Sequence, residues 1–261
     1  MSARSNGYSL TRACKIISLP RSLYYYVSIK DDSVIIAKLK ELSDKKPREG
    51  QDKLYSRIRN EGLQWNHKRI GRVYKRMGLN KRKGGRKRLP ARIKQPLIIP
   101  MQPNDTWSMD FMHDALVSGR KFRVLNIIDD FNREALRIEP FFSIGSNLVI
   151  KILERLVMER GRPRAIRVDN GPEFISSALS EWCLEKGIKL VYIQPGKPMQ
   201  NGYIERFNRS YRQDVLDANL FQSIAQARIL SDEFQEDYNL HRPHESLGNI
   251  SPVNYRLKSC G

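Results

Sequence analysis

Three carboxylates in this chain stand where a carboxylate is costly unless it is used. Asp110 interrupts the strand-like run TWSMDF, and a charge inside a half-buried strand pays a desolvation penalty. Asp169 closes the apolar run IRVD and is followed by the turn Asn170-Gly171-Pro172, the strand-end position from which reactive groups are commonly presented. Glu205 lies on the helical stretch NGYIERFNRSYRQDVL, beside an apolar stripe of Ile204, Phe207, Tyr211 and Val215. Arg209 and Arg212 follow Glu205 at i+4 and i+7 on the same adjoining face, so one helix could present a metal ligand and two phosphate contacts together. Carboxylate oxygens suit a hard ion such as Mg²⁺. Two such ions about 4 Å apart can activate an attacking oxygen and stabilise a leaving one in phosphoryl displacement, with no Ser, Cys or Tyr nucleophile. Twenty-one acids follow residue 100, so an Asp–Asp–Glu triplet alone carries little. Asp114, Asp129 and Asp130 are the competing accessory ligands: Asp114 shares the parity of Asp110, and Asp130 that of Asn126 and Ile128.

Other chemistries fit less well. Cys14, Cys183 and Cys260 are far apart and form no CxxC pair, which excludes a disulfide framework and a cysteine-rich zinc site and suits a reducing cytosol. His241-Arg242-Pro243-His244 has no cysteine partners, and Pro243 disfavours a continuous helix. Eleven tyrosines are present, but no Arg/His/Arg set gathers round one of them. Trp65, Trp107 and Trp182 read as packing residues. The longest uncharged run, residues 140–150, has 11 residues, too short for a spanning helix of about 20, and no signal peptide is expected.

The elements that must position the acids follow from periodicity. Strands are predicted over Thr106–His113, Lys121–Ile128 and Glu134–Phe142, with Ser118-Gly119 as the first turn. A helix over Ser146–Glu159, a buried strand Ala165–Val168, a helix Ser176–Lys186, a strand Lys189–Ile193 and helices over Asn201–Leu216 and Ile224–Asn239 follow. This pattern predicts an α/β protein with a mixed sheet flanked by helices. Upstream, residues 9–27 read as two short helices broken at Ser18-Leu19-Pro20, similar to the end of a helix-turn-helix, with Arg21, Ser22 and Tyr24 to Tyr26 on the candidate reading helix. Residues 33–79 read as helical, the last helix capped by Asn66 and stopped by Gly78. The expected division is a helical DNA-binding region over 1–80, a basic linker over 81–104, a catalytic core over 105–220, and a C-terminal helix and tail over 221–261.

The formal charge of +19 is carried entirely by residues 1–100, where 26 Lys and Arg face 7 acids; residues 101–261 hold 21 of each. From His67 to Lys94 there are 13 basic residues and no acid. Such a block draws polyanions by phosphate contact and counterion release, and few large apolar residues accompany it, which disfavours a membrane surface. The candidate DNA contacts are Lys68, Arg69, Arg72, Lys75 and Arg76 on the capped helix, then Lys81, Arg82, Lys83, Arg86, Lys87 and Arg88 in the linker. Lys197, with Gln200 and Asn201, is expected on a mobile loop near DNA, and Arg209 and Arg212 on the Glu205 helix.

From Asp169 to Glu205 there are 35 intervening residues. With TWSMDF, VDNGPEF and PGKPMQNGYIERFNR, this spacing resembles the catalytic subunit of bacterial insertion-sequence transposases, made from the second of two overlapping reading frames. These belong to the superfamily of DDE transposases and retroviral integrases. The stretches ACKIISLPRSLYYY, EGLQWNHKRIGRVYKRMGL, RVLNIIDDFNREAL and DYNLHRPHESLGNISP extend the resemblance over almost the whole chain. It implies a ribonuclease H-like core with Asp110, Asp169 and Glu205 around two Mg²⁺ or Mn²⁺ ions. The implied reactions are 3′-end cleavage and strand transfer to target DNA, by a homo-oligomer in a synaptic complex in the bacterial cytoplasm at the nucleoid. Relatives are often fused to an upstream helix-turn-helix and leucine-zipper segment; this chain begins at Met1 without one, so an upstream-frame product is an expected partner. The zinc module of retroviral integrases has no counterpart in these scattered cysteines, and Arg206 stands where many relatives carry a smaller residue. A catalytically silent DNA-binding relative and a structure-selective nuclease are the alternatives.

Overall fold

The computed structural model describes residues 9–26, 31–80, 100–171, 173–193 and 201–260. Lys81, Arg82, Lys83, Arg86, Lys87, Arg88, Lys197 and Gln200 lie outside them.

Five strands form one sheet in the order β3-β2-β1-β4-β5. β1 (Thr106–Ala115), β2 (Lys121–Asp129) and β3 (Ala135–Phe141) are an antiparallel meander. Gly119, at φ +81°, makes the first tight turn. After β3 the helix α6 (Ser146–Arg160) carries the chain across the sheet to β4 (Ala165–Val168), which lies parallel to β1. α7 (Ser177–Glu185) leads on to β5 (Lys189–Tyr192), parallel to β4. β1 is thus the strand where antiparallel pairing gives way to parallel pairing: one neighbour, β2, follows it in sequence, and the other, β4, comes from about fifty residues further on.

Alternation along the strands builds two cores. Trp107, Met109, Leu125 and Ile127 face α6 and α7, where Leu153, Leu156, Leu179 and Cys183 close over them. Met112, Phe122, Val124 and Ile128 face α8 (Gly202–Tyr211) and α9 (Ile224–Leu240), against Ile204, Phe207, Tyr211 and Phe234. A sheet covered on both faces explains why β2 is almost continuously buried. α8 passes into a single π-helical turn, Arg212–Leu216, so the predicted helix is found but its last turn is widened. A closing helix, α10 (Pro252–Cys260), extends the tail.

The described N-terminal residues, up to residue 80, are helical. α1 (Leu10–Ile16) and α2 (Arg21–Tyr24) are separated at Ser18, which takes φ +52°. α3 (Ser33–Lys45), α4 (Gln51–Asn60) and α5 (His67–Arg76) enclose their own apolar core of Leu39, Leu54, Ile58, Ile70 and Val73. The Asn66 side chain caps α5 by accepting from Lys68 N–H at 2.8 Å. This unit is fastened to the sheet domain by buried charges. Arg57 donates to both oxygens of Glu49 at 2.7 and 2.8 Å and to both oxygens of Asp237 on α9 at 3.0 and 2.9 Å. Residues 100–104 are fastened to the core too: Asn104 N–H donates to Asp129 at 2.8 Å, and its side chain accepts from Trp107 Nε1–H at 3.0 Å. Among the described residues no helix is long and apolar enough to cross a membrane.

Candidate active site

The parallel register places two of the acids side by side. Ser108 of β1 pairs with Arg167 of β4. Two positions further along stand Asp110, still within β1, and Asp169, one residue past the end of β4, so the register carries both acids to one level with one parity. Asp110 points to the α8 face. There Asn208 Nδ2–H donates to Asp110 Oδ2 at 2.7 Å, and the Phe111 N–H donates to Oδ1 at 2.8 Å. Asn208 is itself held, because its Oδ1 accepts from Asn126 Nδ2–H of β2 at 2.7 Å. Asp169 is held by a local turn in which Gly171 N–H donates to Oδ1 at 3.0 Å. A Cβ at position 171 would stand 3.0 Å from that same oxygen, so the glycine lets the backbone close on the carboxylate. Glu205 lies in the first turn of α8 and is exposed.

Electrostatics ties the three together. Burial pushes the Asp110 carboxyl up to about 6, the negative charges of Asp169 and Glu205 push the same way, and the Phe111 and Asn208 hydrogen bonds oppose them. Among the described residues none of the three acids is in an ion pair, although most buried charges here are neutralised. All the donors are carboxylate oxygens and the local charge is uncompensated, so this donor set fits a hard divalent cation. Asp169 and Glu205 are each within electrostatic reach of Asp110, and the three form no closed cage: among the described residues, no three His, Cys, Asp or Glu side chains are gathered tightly enough to enclose a metal ion.

The competing acids have structural tasks. Asp130 pairs with Arg167 of β4 at 2.7 Å, with burial pushing its carboxyl up to about 6. Asp129, also raised to about 6 by burial, accepts from the N–H groups of Asn104 and Phe131. Asp114 accepts from Ala115 N–H and lies 4.0 Å from Arg212.

The candidate DNA contacts divide. Arg69, Arg72 and Arg76 are turned onto one carboxylate, Asp32, at 3.0, 3.0 and 3.2 Å. Lys68 and Lys75 are exposed. Arg209 is exposed, whereas Arg212 donates to the His113 carbonyl at 2.8 Å. Asn201 is buried at the start of α8. Sequence reasoning missed Asn208 and Asn126. Asn208 stands three residues after Glu205, on the same face of the helix, and that spacing was the available signal. Asn126 is the direct antiparallel partner of Asp110, which only the strand register reveals.

Family models described as integrase core domain match residues 100–198 and 186–252. An uncharacterized 31.7 kDa protein of insertion element IS407 from Burkholderia multivorans is 40% identical over 250 residues, covering 95% of this chain and 90% of its own length. An uncharacterized 39.2 kDa protein of insertion element IS476 from Xanthomonas euvesicatoria is 38% identical, covering 95% of this chain and 74% of its own. Among solved structures, a chain of the simian T-cell lymphotropic virus intasome in complex with the PP2A regulatory subunit B56 gamma shares the fold. The TM-score is 0.53 and the identity 17%, over 85% of this chain and 74% of that one. With a ribonuclease H-like sheet and near full-length matches to insertion-element proteins, the chain belongs to the superfamily of DDE transposases and retroviral integrases.

Proposed function

We propose that this chain is an insertion-sequence transposase that cleaves DNA at the 3′ ends of its element and joins them to target DNA. Asp110, Asp169 and Glu205 are its catalytic acids and would hold two Mg²⁺ or Mn²⁺ ions. The observation that carries the reading is the state of Asp110: a half-buried carboxylate, raised by burial and by two further acids, with no cationic partner among the described residues. When bound, such ions supply activation of the attacking oxygen and stabilisation of the leaving one. The chain contributes rigidity. β1 and the Asn126–Asn208 pair fix the Asp110 carboxylate, the Gly171 turn fixes that of Asp169, and the first turn of α8 carries Glu205. Exposed Lys68 and Lys75 on α5 and Arg209 on α8 bind backbone phosphates, with the basic segment Lys81 to Arg88 and Lys197 adding charge along the path. The arginines gathered on Asp32 remain net positive and serve the same face. The protein works in the bacterial cytoplasm at the nucleoid as a homo-oligomer that pairs two element ends, together with an upstream-frame product.

A strand-transfer assay on cognate element ends, with Mg²⁺ and with or without the upstream product, tests this. Asp169→Asn is expected to keep its DNA affinity and lose 3′-end joining. Equal joining by variant and parent sinks the carboxylate assignment. A parent that binds ends but never joins them identifies a silent DNA-binding relative, and cleavage of branched DNA without transfer identifies a nuclease.

A further inference from the structure

A second cluster of charge lies away from the acids. The segment between α9 and α10, Arg242–Asn249, packs with α4 and α8 around a cavity of about 450 Å³. Four cations line it: Lys53 from α4, Arg206 from α8, Arg133 from the β2–β3 turn, and Arg242. Two carboxylates, Asp52 and Glu245, also line it; both are exposed, and Asp52 lies 3.7 Å from His67. Arg242 is neutralised by Asp214 at 2.5 Å, with Glu49 at 3.8 Å. Lys53, Arg133 and Arg206 are in no ion pair among the described residues. Arg133 lies flat over the Tyr203 ring at 3.5 Å, which holds its guanidinium in place.

The groups around this cavity feel one another. Burial lowers the Lys53 ammonium to about 8, with Arg242 and Arg206 pushing the same way and the charges of Glu49 and Asp214 opposing them. Burial lowers the His244 imidazole to about 3, with Arg242, Lys53 and Arg206 adding to the effect. His244 Nε2 is shut off from solvent with no hydrogen-bond partner. Cations crowded together and partly stripped of water are a cost to the fold unless an anion answers them.

We infer that this cavity is a phosphate-binding site and that the phosphate it takes is one of a DNA backbone. The two non-bridging oxygens of a phosphodiester, sharing one negative charge, match several converging N–H donors, and the chain's net charge of +19 selects a polyanion. The choice of DNA rests on the function proposed above; the presence of an anion site does not. On α8 the lining residues Tyr203, Arg206 and Ser210 lie opposite Asn208 and Arg212. The phosphate gripped here therefore belongs to DNA that has crossed over α8, several nucleotides from the acids. The site also gives the HRPH motif a role as the wall of an anion pocket.

The test uses the full chain and a labelled duplex, with affinity measured across a range of salt. Lys53→Gln and Arg206→Gln are each expected to weaken binding about tenfold and to reduce the slope of log K against log salt by about 0.9 per lost contact. Lys53→Arg is expected to retain parental affinity. A Lys53→Gln/Arg206→Gln protein that melts like the parent and keeps its affinity and slope overturns the inference. If those variants fail to fold, acylation of Lys53 in the parent decides. Slower acylation in the presence of duplex supports the site. Acylation unaffected by duplex overturns it, as does protection by inorganic phosphate but not by duplex. Duplex protection in a protein that never joins ends would sink the proposed reaction and leave this site standing.

Discussion

Asp110 shows what a single side chain costs the fold it serves. Its carboxyl is raised from 3.8 to about 6, chiefly by burial, so between those values the native state holds a proton that the unfolded chain has released. Stability from this group therefore falls as pH rises through the window, and at neutral pH the ionised acid costs about 2–3 kcal/mol. Asp110→Asn is expected to raise the melting temperature at pH 7 and to abolish joining, an exchange of activity for stability. Its advantage over the parent should shrink as pH falls to 4. Denaturant titrations of both proteins across pH check this, and an advantage that does not vary with pH would show that the buried charge is not its source.

At the scale of elements, the sequence predicted the strands and helices between residues 106 and 240 to within a residue or two, because each carries its own periodicity, whereas α10 was not predicted. Asn66 and Gly78 bounded α5 by local chemistry, as expected. Ala165–Val168 was found at its predicted bounds because it is a short apolar run between turns. Relations between elements were not legible. No local pattern says that β1 lies between β2 and β4, that Asn126 faces Asp110, or that the last turn of α8 widens. Nor does local pattern say where a long cation turns. Arg69, Arg72 and Arg76 read as a phosphate-binding stripe, yet they converge on Asp32, which lies 37 to 44 residues away in sequence and just before α3. The Arg69 hydrogen bond holds the Asp32 carboxyl below its usual range, and the charges of Arg72 and Arg76 act in the same direction. The stabilisation from this cluster is present above pH 3.8 and is lost as pH falls further through the lowered value. Asp32→Asn is expected to lower the melting temperature at neutral pH and to free the three arginines. DNA affinity at low salt should then rise with a steeper salt slope. Unchanged affinity would remove this face of α5 from the DNA path.

At the scale of the whole molecule, the helical unit and the sheet domain meet through charge rather than grease. Burial alone would raise the Glu49 and Asp237 carboxyls, but the Arg57 hydrogen bonds and charge outweigh it and hold both low. Lys46 adds a further contact to Asp237 at 3.0 Å. Such a network is poor evidence of net stability, but removing one member strands the others. Arg57→Met is expected to cost about 3–5 kcal/mol and to split one calorimetric transition into two, with the helical unit melting first. A single transition at the parental temperature would show that the two halves are coupled by something else.

The same Arg57 bridge constrains how such proteins can be recombined. Arg57 belongs to the helical unit, but the acid it meets sits on α9, beyond the sheet in sequence. Chimeras spliced between residues 80 and 100 would separate lock from key, so hybrids should assemble only when the α9 segment travels with the helices. The two ends of the gene are thereby bound to a shared inheritance, with the chemistry carried between them.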